Sequence, residues 1–190
     1  IGDFNNWEVD TDYLMNKTPD GNYFWITIDS LIVAKEYIYQ YFIDGEIRIA
    51  DPYTNKISEP WNDKYIDSST YPGLIQYPSG KTTQIASVFQ TAQEEYHWET
   101  TEFEAPDQEN LVIYELLLRD FIGNHTFNGL IDTLDYLQNL GVSAIELMPV
   151  SEFEGNNSWG YNPSFYFAVD KYYGPANTFK AFIDSAHQRG

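Results

Sequence analysis

The sequence predicts a multidomain chain of β and α/β structure, in which a small antiparallel β-sandwich precedes the start of a parallel β/α fold. Residues 1–55 alternate between apolar and polar side chains, as the strands of an antiparallel sheet do. Two later apolar runs, Leu111–Leu118 and Ala144–Val150, predict buried parallel strands. They alternate with two segments of helical period, Phe127–Leu140 and Thr178–Arg189. This order is typical of a β/α barrel or a doubly wound sheet, whose functional groups lie on the loops that follow the strands.

The first part carries the turn signals of β-hairpins. Tyr23–Ile28 and Glu36–Ile43 alternate between two faces, and the second segment places three tyrosines and an isoleucine on one of them. The pair Asp44-Gly45 supplies the left-handed positions of a tight hairpin turn, and Asp20-Gly21 marks an earlier turn. We therefore expect a separate antiparallel module in this part of the chain.

Residues 56–107 are predicted to form an ordered connector. Prolines and glycines interrupt any regular pattern, but eight aromatic side chains lie between them. Such a segment is too apolar for a disordered linker. We expect short strands near Ile85–Phe89.

The third part, residues 108–190, contains the helical signals. One apolar stripe runs along the first helix through the following residues: Phe127, Leu130, Ile131, Leu134, Leu137 and Leu140. Thr126 is a suitable N-cap, and Gly141 stands where a left-handed C-cap residue belongs. Asn177 and Gly190 frame the second helix in the same way. The strand–helix–strand unit is expected to be right-handed.

Composition excludes several classes of function. The net charge of −19 disfavours nucleic acid and anionic membranes as partners. With no cysteine, the chain cannot form disulfides, thiolate zinc sites or a cysteine nucleophile. Its three histidines are scattered, so no metal site is predicted, and nothing indicates the oligomeric state. The 17% of aromatic residues fits either sugar binding or ordinary β-sheet packing.

The N-terminal motifs resemble a known carbohydrate-binding module. Gly2–Trp7, the Asp44-Gly45 hairpin and the following Asp51-Pro52 occur in the order found in family 48 modules. The resemblance implies an immunoglobulin-like β-sandwich over residues 1–55, with one or two strands expected before Ile1. It also implies that Trp7 is a sugar platform. The alternative is that Trp7 packs against the connector or the barrel and that the module is a brace.

A second resemblance covers residues 110–190. Its motifs, in order, are Ile113–Leu116 with Arg119–Phe121, Leu140–Pro149, and Trp159–Pro163 with Tyr172–Gly174. They are similar to the first strand, second strand and following loop of the α-amylase superfamily, glycoside hydrolase family 13. The resemblance implies that residues 108–190 form the first two β/α units of a TIM (β/α)8 barrel, which is incomplete.

The family's chemistry implies roles for the loop. Retaining cleavage needs two carboxyl groups about 5–5.5 Å apart on opposite sides of the anomeric carbon. The resemblance places the catalytic acids on later strands beyond Gly190, so no catalytic residue is assigned in this chain. It implies that Tyr161 stacks on the reacting sugar ring and that Trp159 and Asn162 line the same cleft. The alternative role of these three side chains is packing within the loop or core.

Four glutamates lie on or near the predicted strands, but none is assigned to catalysis. We expect Glu115 and Glu146 to satisfy buried polar groups in the barrel core. Glu152 and Glu154 are close in sequence, but they are not interpreted as a catalytic carboxylate pair. Asn156-Asn157 does not match a calcium-loop pattern. No cofactor is therefore expected in this chain, and the resemblance allows calcium only in a longer protein.

The sequence predicts that the parent protein is a retaining, α-amylase-like hydrolase of α-1,4-glucosidic bonds in starch-like glucans. A branching enzyme, a debranching enzyme and a non-catalytic carbohydrate-binding protein remain alternatives. A barrel needs about 250 residues, so this chain alone is expected to be inactive. Because starch occurs outside cells, an extracellular or periplasmic location is expected.

Overall fold

The computed structural model describes all residues, 1–190, and the chain divides into two compact units. The first unit consists of Ile1–Pro60 and Ile75–Glu94, and the second consists of Trp61–Leu74 and Glu95–Gly190. The residues predicted to form a connector are thus divided between the two units. No helix in the chain has both the length and the apolar character needed to cross a lipid bilayer.

The first unit is built from small antiparallel sheets. Its strands are β1 Asn16–Lys17, β2 Phe24–Trp25, β3 Glu36–Tyr39, β4 Tyr41–Ile43, β5 Ile47–Ile49, β6 Ile57–Ser58 and β7 Ala86–Gln90. Strands β3, β7 and β6 form one sheet with β7 in the centre, while β1–β2 and β4–β5 form separate pairs. The strand predicted near residues 85–89 is confirmed as β7 and belongs to this unit.

Both predicted hairpin turns are confirmed. Asp44 and Gly45 have positive φ angles of 53° and 73° between β4 and β5, and Gly21 has a φ of 76° between β1 and β2. The predicted strand 36–43 is interrupted at Gln40, whose buried side-chain amide donates to the Thr83 carbonyl oxygen at 2.8 Å. This buried polar contact fixes the chain between β3 and β4.

The second unit contains the predicted β/α elements. They are β8 Ile113–Leu116, α1 Leu118–Phe121, α2 Phe127–Ile131, α3 Leu134–Asn139, β9 Ala144–Leu147, β10 Ser151–Phe153, β11 Pro163–Val169 and α4 Ala176–His187. Strands β8 and β9 pair in parallel, as predicted, with Ile113 opposite Ala144. Ile113 is nevertheless 57% exposed, so this strand is less buried in the chain than its sequence predicts.

The predicted helix 127–140 consists of two segments, because the chain turns at Asp132 and Thr133. The Thr133 hydroxyl donates to the Leu130 carbonyl oxygen at 2.8 Å, which closes the end of α2. At the other end, the Thr126 hydroxyl accepts the Gly129 amide at 3.1 Å, so the predicted N-cap is confirmed. Gly141 has a φ of 88°, as expected of a left-handed C-cap residue.

The last helix and the segment before it differ from the prediction. Helix α4 begins at Ala176 with Pro175 at the N-cap, two residues earlier than Thr178, the predicted first helical position after Asn177. The long aromatic segment contains an antiparallel pair, β10 and β11, which sequence periodicity did not indicate. This pair has two register shifts, so its side chains do not follow simple alternation.

The core of the second unit lies between its strands and helices. Its buried members are Leu116, Leu118, Phe127, Leu130, Leu134, Leu137, Phe153, Tyr173 and Phe182. Helix α2 packs against α4, and the Phe127 and Phe179 rings lie 4.8 Å apart between their centroids. This core supports β8 and β9 from one side and leaves the loops after them accessible.

Candidate functional site

The loop of residues 154–162 connects β10 to β11 and lies against the chain that follows β9. Gly160 has a φ of 90°, and a Cβ atom there would lie only 2.0 Å from the Pro149 carbonyl oxygen. Only glycine fits this close approach. The contact therefore fixes the position of the loop relative to the carboxyl end of β9.

Trp159 and Tyr161 flank this glycine and are 61% and 63% exposed. Asn162 is also exposed, and its Oδ1 atom accepts a short hydrogen bond from the Ser158 hydroxyl. The same hydroxyl oxygen accepts the Gly160 amide at 3.0 Å. The structure thus brings the predicted residues Trp159, Tyr161 and Asn162 together on one braced loop, with both aromatic side chains open to solvent.

The Tyr161 hydroxyl donates to Oε1 of Glu115 at 3.5 Å. Glu115 and Glu146 are register partners on β8 and β9, so their side chains leave the same face of the strand pair. The pKa of the Tyr161 phenol lies above its usual value, because it is partly withdrawn from water and because Glu115 and then Glu146 add negative charge. The phenol is therefore neutral at ordinary pH.

Glu115 and Glu146 were expected to satisfy buried polar groups in a barrel core. Both are exposed beside the two parallel strands of this chain, so that role stays a prediction. Here the Glu115 carboxylate accepts the hydroxyl of the loop tyrosine Tyr161. The strand pair therefore presents two carboxylates beside an exposed aromatic ring.

An arginine connects the segment after β8 to the loop. The Arg119 Nε and Nη2 atoms donate to the two carboxylate oxygens of Asp120 at 2.7 and 2.8 Å. Its Nη1 atom donates to Oδ1 of Asn157 at 2.6 Å. The guanidinium also holds the pKa of Asp120 below its usual value. One side chain thus joins α1, which follows β8, to the loop.

The neighbouring asparagines do not fit a calcium site. The Asn157 side-chain oxygen is bound to the Arg119 guanidinium, and the Asn156 amide donates to the Asn62 carbonyl oxygen at 3.2 Å. Because the positively charged Arg119 guanidinium already binds the Asn157 oxygen, a calcium ion at that oxygen is disfavoured. Nowhere in residues 1–190 do three or more histidine, aspartate and glutamate side chains form a group that could hold a metal.

A buried charge cluster lies behind the loop. The Lys171 Nζ atom lies 2.5 Å from Oε1 of Glu152 and 3.3 Å from Oδ1 of Asp63, and all three side chains are at most 8% exposed. Burial raises the pKa of Glu152 to about 8, and the Lys171 charge opposes this shift. Burial opposes the lysine charge, but the two carboxylates outweigh it and raise the pKa of Lys171. Glu154 is exposed, so Glu152 and Glu154 form no carboxylate pair.

Trp7, the fourth predicted sugar contact, belongs to the other unit and is only 5% exposed. Its side chain packs in a core with Ile38, Ala86 and Val88, and its Nε1 atom donates to Oδ1 of Asp3 at 2.9 Å. A buried indole has no free face for a sugar ring. The structure therefore contradicts the platform role of Trp7 and agrees with the alternative of packing against residues 56–107.

Sequence reasoning missed the contacts made by Arg119, Asn157 and Lys171. Arg119 and Asn157 lie 38 positions apart, and Lys171 lies 19 positions from Glu152. No local spacing rule joins residues at such separations. The adjacent Arg119 and Asp120, directly after a predicted strand, were the only local signal.

A parallel strand pair with a loop at its carboxyl end is the arrangement of a β/α protein. Residues 79–190 match the alpha amylase catalytic domain, and the chain therefore belongs to the alpha-amylase family. The resemblance drawn from the strand and loop motifs is confirmed.

Two curated relatives illustrate the range of the family. A malto-oligosyltrehalose trehalohydrolase from Saccharolobus solfataricus is 31% identical over 171 residues, which is 90% of this chain and 26% of that protein. A 1,4-alpha-glucan branching enzyme from Shewanella frigidimarina is 28% identical over 204 residues, covering 100% of this chain and 24% of the enzyme. The chain spans about a quarter of the length of these relatives.

Solved structures share the fold. A Salmonella typhimurium protein designated as an alpha amylase has a TM-score of 0.68 at 28% identity, over 93% of this chain and 26% of that protein. A product complex of a glycogen-degrading pneumococcal virulence factor has a TM-score of 0.58 at 27% identity, over 82% of this chain and 19% of its own. The chain thus has an amylase-like fold made mainly of small β-sheets and few helices.

Proposed function

We propose that this chain forms one wall of the glucan-binding cleft of an α-glucan-active enzyme, with Tyr161 as the main sugar contact. The observation that carries the proposal is the Trp159–Asn162 loop, whose exposed aromatic pair is fixed by Gly160 beside the ends of two parallel strands. The names of the relatives support an α-glucan, since they specify malto-oligosyltrehalose, 1,4-alpha-glucan and glycogen.

The chemistry of the loop suits a glucose ring. The apolar C–H face of the sugar packs on the Tyr161 ring, and the Trp159 indole offers a second aromatic face two residues away. The Tyr161 hydroxyl also makes a long contact of 3.5 Å with the Glu115 carboxylate. Asn162 supplies an amide that can hydrogen-bond sugar hydroxyls.

For the whole protein we propose retaining hydrolysis of α-1,4-glucosidic bonds. The reaction requires an acid and a nucleophile on opposite sides of the sugar, and no carboxylate of this chain is assigned either role. In this proposal the β8–β9 pair belongs to an eight-stranded barrel, and residues 1–55 form an immunoglobulin-like sandwich. The chain alone is then inactive, and release of reducing sugar from starch would contradict this.

A branching enzyme is the second candidate, because the branching-enzyme relative aligns over the full chain. Both reactions use the same glucan-binding wall. Hydrolysis creates one new reducing end for each bond cleaved, whereas branching transfers the cleaved chain and creates no net reducing ends. Counting reducing ends against new α-1,6 bonds in the products of the whole protein separates the two.

The binding proposal is tested by isothermal titration of the chain with maltotetraose. We expect Tyr161→Ala to weaken binding about fivefold, because a stacked aromatic contact contributes about 1 kcal/mol. Tyr136→Ala is the control, since Tyr136 is a similarly exposed tyrosine on α3. Equal affinities of the wild type and Tyr161→Ala, or equal binding of β-linked cellotetraose, would reject the proposal.

A further inference from the structure

We propose that Arg119 is a positioning residue, whose hydrogen bond to Asn157 holds the 154–162 loop so that Tyr161 is presented to the glucan. This inference rests on the proposed role of Tyr161 and goes beyond it, because Arg119 itself need not touch the sugar. Nothing in the family match or in the named relatives assigns a role to either residue of this pair.

The guanidinium is held in a defined orientation before it reaches the loop. Two of its nitrogens bind both oxygens of Asp120, and this fork leaves Nη1 directed at Asn157. The Arg119 side chain is 22% exposed and its partner Asp120 is 60% exposed, so the geometry of the fork rather than burial defines the arrangement. A planar guanidinium can satisfy all three contacts at once, whereas a lysine ammonium cannot reproduce the fork.

The loop depends on few anchors. Residues 154–162 contain no helix or strand, and Gly155 and Gly160 both have positive φ angles. Gly160 packs closely against Pro149. The other two anchors are hydrogen bonds, one from Asn156 to Asn62 and one from Arg119 to Asn157. Asn157 lies two residues before Trp159, so its bond restrains the segment that carries both aromatic rings.

We call the hydrogen bond from Arg119 to Asn157 the clamp. It also affects the contact between Tyr161 and Glu115. That hydrogen bond is long, at 3.5 Å, and cannot by itself hold an exposed ring in place. Arg119 follows β8, the strand that carries Glu115. The clamp therefore ties the loop to the strand whose carboxylate Tyr161 approaches.

Nuclear magnetic resonance of the chain tests the inference without a ligand. The Tyr161 ring signals are assigned by comparison with Tyr161→Phe. Their positions are then followed as the pH is raised in Arg119→Lys and in Asn157→Ala, and Arg189→Lys serves as the control. Arg189 also pairs with an aspartate, Asp135 on α3, but is not bound to the loop. We expect both clamp variants to shift the ring signals and lower the phenol pKa toward its usual value, while the control does neither. Asn157 is exposed, so its variant keeps the test valid if Arg119→Lys folds poorly.

Maltotetraose titration of the same variants completes the test. We expect Arg119→Lys and Asn157→Ala each to bind maltotetraose about fivefold more weakly, a loss that corresponds to the free energy of about one hydrogen bond. The thermal midpoint of Asn157→Ala should not change. Unaltered Tyr161 signals in both variants, or altered signals with unaltered affinity, would overturn the positioning role. If the wild type fails to bind maltotetraose, the proposed function fails, and the ring titration alone decides whether Arg119 positions Tyr161.

Discussion

At the scale of single residues, the site depends on Gly160 as much as on the aromatic side chains beside it. Its positive φ and its approach to Pro149 place Trp159 and Tyr161 on the outside of the loop. The sequence reveals the Trp-Gly-Tyr motif, and the family resemblance predicts that both aromatic side chains face a cleft. The reason for the glycine could not, because Pro149 lies 11 positions away and only the fold brings it near.

Replacing Gly160 with alanine tests this close contact. We expect Gly160→Ala to lower the free energy of unfolding by about 1–3 kcal/mol and to weaken maltotetraose binding, because the new Cβ displaces the loop. Gly73→Ala is the control, since Gly73 has a similar φ of 71° but no atom within 4 Å of its Cβ position. Urea unfolding and titration of both variants provide the comparison. Equal costs in the two variants would show that backbone strain alone matters.

At the scale of elements, the parallel pair β8–β9 and the capped helices follow from apolar runs, a threonine N-cap and a glycine C-cap. These signals are local, so the sequence reveals them. The β10–β11 pair escaped prediction because β10 has three residues and two register shifts. The cluster of Lys171, Glu152 and Asp63 escaped because its members come from three separate segments.

That cluster predicts a pH dependence of stability. The pKa of Glu152 is about 8 in the folded chain, against an ordinary value of 4.5, so the folded state retains a proton that the unfolded state releases. The contribution of the protonated Glu152 side chain to the free energy of unfolding is complete below pH 4.5 and is lost as the pH rises through about 8.

Urea unfolding at pH 5, 7 and 9 measures the effect. Relative to Glu152→Gln, the wild type is expected to lose stability with rising pH, with a slope of at most about 1.4 kcal/mol per pH unit. Glu154→Gln, which changes an exposed neighbour, should follow the wild type. A constant difference between the wild type and Glu152→Gln at all three pH values would contradict the raised pKa.

At the scale of the whole molecule, the two units have different relations to the proposed function. The first unit buries Trp7, the residue that its motif marked as a sugar contact, within its own core. The second unit keeps three of the four predicted contacts together on the exposed loop. The family and the loop were predictable because their motifs are contiguous, whereas the burial of Trp7 depends on Ala86 and Val88, which are distant in sequence.

The most direct test of the central claim is to map maltotetraose on the isotopically labelled chain by nuclear magnetic resonance. We predict that the largest shifts on titration occur at residues 157–162 and at Glu115, with small changes throughout the first unit. Shifts confined to the first unit, or saturable binding that leaves the Tyr161 signals unmoved, would contradict the assignment of the glucan-binding wall to this loop.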